Sequence, residues 1–198
     1  MNDDHSLRMA IVAIAAVVFP IGLYHRVQSQ ATREPLDRRQ EGWFILLTLR
    51  PVGLVLAISI FAYLWDSSSM TWSSIDLPMP LRWAGIGLCA LGGGLLLWAF
   101  RRLGKNLTDT VVTRREHTLI TGGPYRFVRH PFYDSVALFI TGIAIAAANW
   151  FILAAGTVAI GLIVVRTRIE EEKLLARFGD PYREYVARTG RFLPKLRA

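Results

Sequence analysis

A chain of 198 residues is the size of one domain, yet 53% hydrophobic and only 19% charged residues make it too apolar for an ordinary soluble one. The net charge of +8 does not point to nucleic acid, because 21 of the 23 lysines and arginines lie in three segments, 25–50, 101–132 and 166–198, set between apolar runs. Cys89 is the single cysteine, so an internal disulfide and a thiolate metal centre are excluded, and His5, His25, His117 and His130 lack metal-ligand spacing.

Five apolar runs, roughly 7–24, 43–65, 82–100, 134–149 and 150–166, approach the ~20 residues that cross a bilayer at 1.5 Å rise. They predict an all-α integral membrane fold with about five transmembrane helices. The first run follows Asp3 and Asp4 and shows no small-residue cleavage site, so it reads as a retained span rather than a signal peptide. Segment 25–42 is a polar loop punctuated by Pro35 and Gly42. Arg50-Pro51 interrupts the second run. The favoured reading is a short interfacial helix over 43–49, then a span that starts at Pro51, with Arg50 snorkelling to the interface. A buried functional arginine is the alternative.

Segment 66–81 is a long loop whose Trp72, flanked by Trp65 and Trp83, fits interfacial anchoring. The third run contains GIGLCALGGG (85–94). With no strand before it, this is no dinucleotide fingerprint but a surface for close helix packing, and it leaves room for a homodimer. Segment 101–132 is the third loop. The fourth and fifth runs meet at Asn149-Trp150 and predict a helical hairpin. Beyond residue 166, Ile169, Leu174, Leu175 and Phe178 recur at helical spacing. Gly179 marks a helix end, Asp180 an N-cap and Pro181 a first helical position, after which Tyr182 and Tyr185 share a face. The alternation of basic and base-poor segments places the N-terminus outside and the basic loops and C-terminus in the cytoplasm, near anionic lipid.

The hairpin brings two polar clusters together. The loop GPYRFVRHPFY (123–133) enters the fourth span and the turn around 166–171 leaves the fifth, so Arg129, His130 and Tyr133 should lie near Arg166, Glu170 and Glu171. Each piece has a plainer reading. Arg166 and Glu170 are spaced for a helical salt bridge. Glu170–Glu172 suits a solvated face, and the 123–133 loop suits a basic-aromatic belt at the lipid surface.

In order, however, Gly123-Pro124-Tyr125, Arg129-His130-Pro131-Phe132-Tyr133, a hydrophobic hairpin, Glu170-Glu171-x-x-Leu174 and Phe178-Gly179-x-x-Tyr182-x-x-Tyr185 resemble the isoprenylcysteine carboxyl methyltransferase family, and more loosely the phospholipid methyltransferases. The resemblance covers about the C-terminal 40% of the chain. Length and the apolar runs make a single membrane domain, 1–198, with three spans in 1–100, and the resemblance implies a catalytic part in 101–198. That part divides into a cofactor loop 104–133, the hairpin 134–166 and a cytoplasmic tail 167–198. It implies S-adenosyl-L-methionine as cofactor, held by His117, Thr118, Leu119, Ile120, Tyr125, His130, Pro131, Phe132, Tyr133, Glu170 and Glu171. A further contact upstream maps near Thr110, where NLTDTVV departs from the pattern. Arg166, Glu170 and Arg129 would be catalytic, with Arg166 facing the substrate and no metal required.

The chemistry of these residue types is compatible with that role. Aromatic rings can wall an adenine, and a carboxylate can accept from ribose hydroxyls or offset a sulfonium charge. An acceptor carboxylate is already ionised near neutral pH and needs aiming, which Arg166 can supply, whereas an amine must first lose a proton. The reading is therefore methyl transfer to the carboxylate of a lipid-like, isoprenylcysteine-like acceptor at the cytoplasmic face. Its alternatives are a phospholipid or small-amphiphile N-methyltransferase and a non-catalytic lipid-binding module.

Overall fold

The computed structural model describes residues 2–30, 43–104 and 118–195. Among them the architecture is helical: α1 (Asn2–Gln30), α2 (Trp43–Trp65), α3 (Met79–Leu103), α4 (Pro131–Ala147), α5 (Trp150–Phe178) and α6 (Asp180–Arg188). Short 3-10 turns cover Ser67–Ser73 and Gly123–Arg126. Four stretches are long and apolar enough to cross a membrane: Asp3–His25, Leu47–Trp65, Met79–Leu103 and Trp150–Phe178. The fourth helix is apolar too but has only 17 residues. Phe19, Leu54 and Phe61 are more than 60% exposed on these helices. Side chains of that kind, facing outward along whole spans, are matched by lipid rather than water. This is an integral membrane fold.

Small residues decide how the spans pack. A Cβ on Gly85 would stand 2.7 Å from Ala146 N, and one on Gly92 would stand 2.8 Å from Phe139 N. From the other side, a Cβ on Gly142 would stand 2.7 Å from both Cys89 N and Gly85 O. Backbone therefore meets backbone along the α3–α4 seam, which gains dispersion contacts that larger side chains would forbid. Gly93 receives Val18 of α1, and Gly156 of α5 receives Ile140 of α4. The packing expected of the glycine-rich third span is thus used within the chain, while Gly87 and Gly94 lie open.

One end of the bundle is tied by polar groups from distant segments. Arg82 donates to Ala146 O at 2.9 Å and pairs with Asp4 at 2.5 Å, and the Tyr63 hydroxyl donates to the same Asp4 oxygen at 3.3 Å. Arg8 donates to Leu64 O and Trp65 O. The hairpin turn is closed by Ala148 in the left-handed region (φ 49°) and by Asn149, whose side chain accepts from Ile152 N and donates to Ser73 Oγ at 2.8 Å. Arg8 and Arg82, the two cations outside the basic segments, therefore share this end.

Three local expectations are corrected. The second helix does not restart at Pro51 but runs unbroken from Trp43 to Trp65 with Pro51 inside it. A proline removes one helical hydrogen bond without breaking a strongly apolar span that has no other way to satisfy its backbone in lipid. The fifth span and the first tail helix are one helix, Trp150–Phe178, since neither glycine nor proline interrupts 162–178. Asp180 is not the N-cap of α6. Gly179, at φ 57°, both ends α5 and begins α6, and Asp180 sits in the first turn with its carboxylate accepting from Arg183 at 2.7 Å. A positive φ lets a single glycine reverse the chain, so no separate cap residue is needed.

Gly142→Ala is expected to lower stability by about 1–3 kcal/mol through overpacking of the α3–α4 seam. Gly87→Ala, which meets nothing within 4 Å, should be neutral or slightly stabilising. Thermal unfolding of both variants in one detergent checks the contrast.

Candidate functional site

At the other end of the bundle, the 118–131 segment, the far part of α5, α6 and residues 189–195 converge. Pro124 and Pro131 stiffen the loop between its two helical pieces, and neither has an amide to satisfy. Gly123 adopts φ 64°, and a Cβ there would collide with the Arg102 side chain, so this corner requires glycine.

The loop is held down by one carboxylate. Glu171 Oε1 accepts from Arg129 Nε at 2.8 Å and lies 3.1 Å from His130 Nε2. Its second oxygen pairs with the Arg191 guanidinium. Arg129 also donates to Thr189 O at 2.6 Å, Arg129 N to Gly190 O at 2.9 Å and His130 N to Arg191 O at 3.1 Å. Residues 189–191 thus lie along the Arg129-His130 backbone like a short parallel strand. The Glu171 and Arg129 side chains are only 12% and 10% exposed, so this is a largely desolvated ion cluster.

Glu170, its neighbour, binds across to α4: Tyr133 Oη donates to Glu170 Oε2 at 2.9 Å. Arg166, half-buried one turn earlier on α5, is close enough for its charge to act on the Tyr133 hydroxyl. The His130 and Tyr133 rings stack at 5.6 Å, and Phe192 lies 5.7 Å from His130 on its other flank. Tyr185 donates to Tyr125 O at 2.7 Å, which fixes α6 to the loop. Tyr182 is 2% exposed, and its hydroxyl has no hydrogen-bond partner among the described residues, though it lies in the fields of Glu171, Arg129 and Glu170. Burial pushes the Tyr125 and Tyr182 phenols above the usual range and Tyr185 up to about 12.

The sequence-predicted residues therefore gather as the hairpin implied. Tyr125, His130 and Tyr133 stand toward Arg166, Glu170 and Glu171, whereas Pro131 lines a trough beside Leu138 of α4. Phe132 turns the other way, 5.6 Å from Phe100, which itself stacks on His25. Thr118 is exposed, Leu119 and Ile120 are half-buried where the segment enters the site, and His117 and Thr110 lie outside the described residues. The sequence did not single out Arg191, Thr189 or Phe192. A lone arginine in a terminal TGRF segment carries no periodic signal, and its partner is 20 residues away.

Comparison with known proteins agrees with this geometry. The phospholipid methyltransferase family model matches residues 81–180, which contain the α3–α4 seam, the loop and the acidic pair. The chain belongs to that family. Cobalt-zinc-cadmium resistance protein CzcN of Cupriavidus metallidurans is 30% identical over 181 residues, 89% of this chain and 71% of that relative. Protein-S-isoprenylcysteine O-methyltransferase of Tribolium castaneum is 32% identical over 113 residues, 56% of this chain and 40% of its own length. The enzyme of that name from Schizosaccharomyces pombe is 27% identical over 120 residues, 57% of this chain and 49% of its own length. The chain thus spans about half or less of these two methyltransferases. In fold it resembles the eukaryotic intramembrane Ras methyltransferase ICMT with a TM-score of 0.59 at 24% identity, covering 93% of this chain and 67% of that one. The motif resemblance to the isoprenylcysteine carboxyl methyltransferases is therefore matched both by relatives and by architecture.

Two outcomes follow from these contacts. Glu171→Ala strands the buried Arg129 charge and is expected to cost about 3 kcal/mol and to expose the 188–195 segment to protease. Exposed Glu172→Ala should do neither, as melting curves and limited proteolysis would show. Tyr185 adds an alkaline limit. An unfolded tyrosine ionises near ~10, and the folded one near about 12. The stabilisation is therefore complete below pH 10 and lost as pH rises through 12. Denaturation midpoints should fall across that window in the native protein and fall less in Tyr185→Phe.

Proposed function

We propose that the protein is an S-adenosylmethionine-dependent methyltransferase acting at the membrane surface on the carboxylate of an amphiphilic, isoprenylcysteine-like acceptor. The observation that carries this reading is the Tyr133–Glu170 hydrogen bond beside Arg166, at the mouth of the hairpin and within an aromatic wall. The residues fit the cofactor. Tyr125, His130 and Tyr133 offer ring faces for an adenine. Glu170 has a second oxygen to meet hydroxyls or a positive centre, and the Tyr182 hydroxyl is a buried polar group in want of a partner. When bound, S-adenosylmethionine supplies an electrophilic methyl group on a sulfonium.

The chain's own residues then have the tasks of binding, aiming and drying. Arg166 grips the acceptor carboxylate, which needs no base because it is already ionised. The His130–Tyr133 stack and the loop above it exclude water from the acceptor, and fixed geometry lowers the barrier by removing rotational freedom. Arg129 and Glu171 touch each other and the terminal segment, so they are read as positioning residues for His130 and Tyr133 rather than as groups in contact with the acceptor. Thr118, Leu119 and Ile120 edge the cofactor side. The site faces the cytoplasm, where the cofactor is made and the basic segments are expected.

The family description favours a second reading, methyl transfer to the amine of a phospholipid or small amphiphile. It would require Glu170 to take a proton. A lipid-binding module without turnover would bind cofactor and transfer nothing.

Calorimetric titration of S-adenosylmethionine into the detergent-purified protein, beside Glu170→Ala, should give saturable binding that the variant loses. Labelled methyl should then appear on a prenylcysteine carboxylate rather than on phospholipid amines. Absence of binding to folded protein would refute the methyltransferase reading.

A further inference from the structure

The end of α3 lays a cation across the loop. Arg102 stands in the last turn of that helix, and its side chain passes directly over Gly123, where a Cβ would stand 2.5 Å from Arg102 Cγ and 2.9 Å from both Cδ and Nε. Glycine at 123 thus makes room for the arginine stem as well as for the positive φ, and Gly122 just before it faces open space. Arg101 points ~100° away around the helix.

Among the described residues the Arg102 guanidinium makes no hydrogen bond and no ion pair, and the residue is exposed. The arginines of the loop and of the strand-like segment beside it are engaged. Arg129 and Arg191 meet Glu171, and Arg126 lies over the Phe127 ring at 4.4 Å. A base in the last turn of α3 is favoured by the helix dipole, which accounts for its charge but not for its course over the loop.

Gly123 lies between Thr118–Ile120, the cofactor side of the site, and Tyr125, which stands in the field of Glu170. S-adenosylmethionine carries three charges. Its sulfonium and ammonium suit an acidic site. Its carboxylate, ionised at neutral pH, is repelled by Glu170 and Glu171 and needs a cation set apart from them.

We infer that Arg102 holds the carboxylate at the methionine end of S-adenosylmethionine, over the Gly122-Gly123 corner. The inference rests on the methyltransferase reading of the same site and adds to it a residue from outside the loop and the hairpin. A guanidinium presents two parallel N–H donors to a carboxylate, and a corner without side chains leaves that approach clear.

The test is calorimetric titration of the detergent-purified full chain, with no acceptor present, using S-adenosylmethionine and its decarboxylated analogue, which differ only in the carboxylate. The native protein should bind S-adenosylmethionine about tenfold more tightly, the low end for a hydrogen bond to a charged group, as suits an exposed one. Arg102→Gln should bring the two affinities together, and Arg102→Lys should keep part of the difference. Arg101→Gln, which removes the same charge one residue away, should keep all of it. Arg102 is exposed, so these variants test binding rather than folding. Equal affinities in the native protein, a difference that survives Arg102→Gln, or an equal loss in Arg101→Gln would overturn the inference and leave the methyltransferase reading in place. Binding of neither ligand to folded native protein would refute that reading and the inference with it.

Discussion

The arrangement at the loop-bearing end depends on the Glu171 carboxylate. Two guanidinium groups and an imidazole surround it: Arg129 and His130 from the start of the hairpin and Arg191 from the C-terminal segment, all meeting a carboxylate on the hairpin's far leg. A carboxylate so enclosed is stable only while all its partners remain, because each removal leaves a buried charge uncompensated. That mutual dependence holds the Arg129-His130 backbone against residues 189–191 and sets the direction of the next residues in the chain. Tyr133 reaches Glu170 because His130 is fixed three residues earlier. The chemistry proposed for the site is thus carried by neighbours of the structural cluster, Glu170 beside Glu171 and Tyr133 beyond His130.

Glycine serves the membrane part as the carboxylate serves the loop. Hydrophobic burial cannot distinguish helix from lipid within a bilayer, so close backbone approach has to supply the preference. The seam formed by Gly85, Gly92 and Gly142 orients α4, and α4 begins at Pro131, immediately beyond the pinned loop. Packing in the span and charge pairing at its end therefore fix the same helix from both sides.

Much of this was legible in the sequence, and the reasons are specific. Long apolar runs and segregated cations define a membrane bundle because lipid imposes length and polarity on every span. The hairpin, with polar motifs at the start of one leg and the end of the other, brings Tyr133 and Glu170 together on sequence grounds alone. What escaped was tertiary. No local signal tells that Pro51 is absorbed into a continuous helix, or that Gly179 alone turns the chain, because each depends on what surrounds the residue. Arg191 and Thr189 were invisible for the same reason, since their value lies wholly in contacts with Glu171 and Arg129. Assigning distinct roles to Glu170 and Glu171 likewise required seeing that adjacent side chains on a helix point to different partners.

The brevity of α4 has a consequence for depth. Its 17 residues rise about 25 Å, less than the ~30 Å of a bilayer's hydrocarbon layer. Just beyond its far turn, Asn149 fastens the hairpin to the Ser67–Ser73 loop. α5, with 29 residues, rises past the His130–Tyr133 stack and carries Glu170 alongside it. Glu170 stands eight residues before the end of α5 at Phe178, so the Tyr133–Glu170 pair is set back about 12 Å from that helix's end.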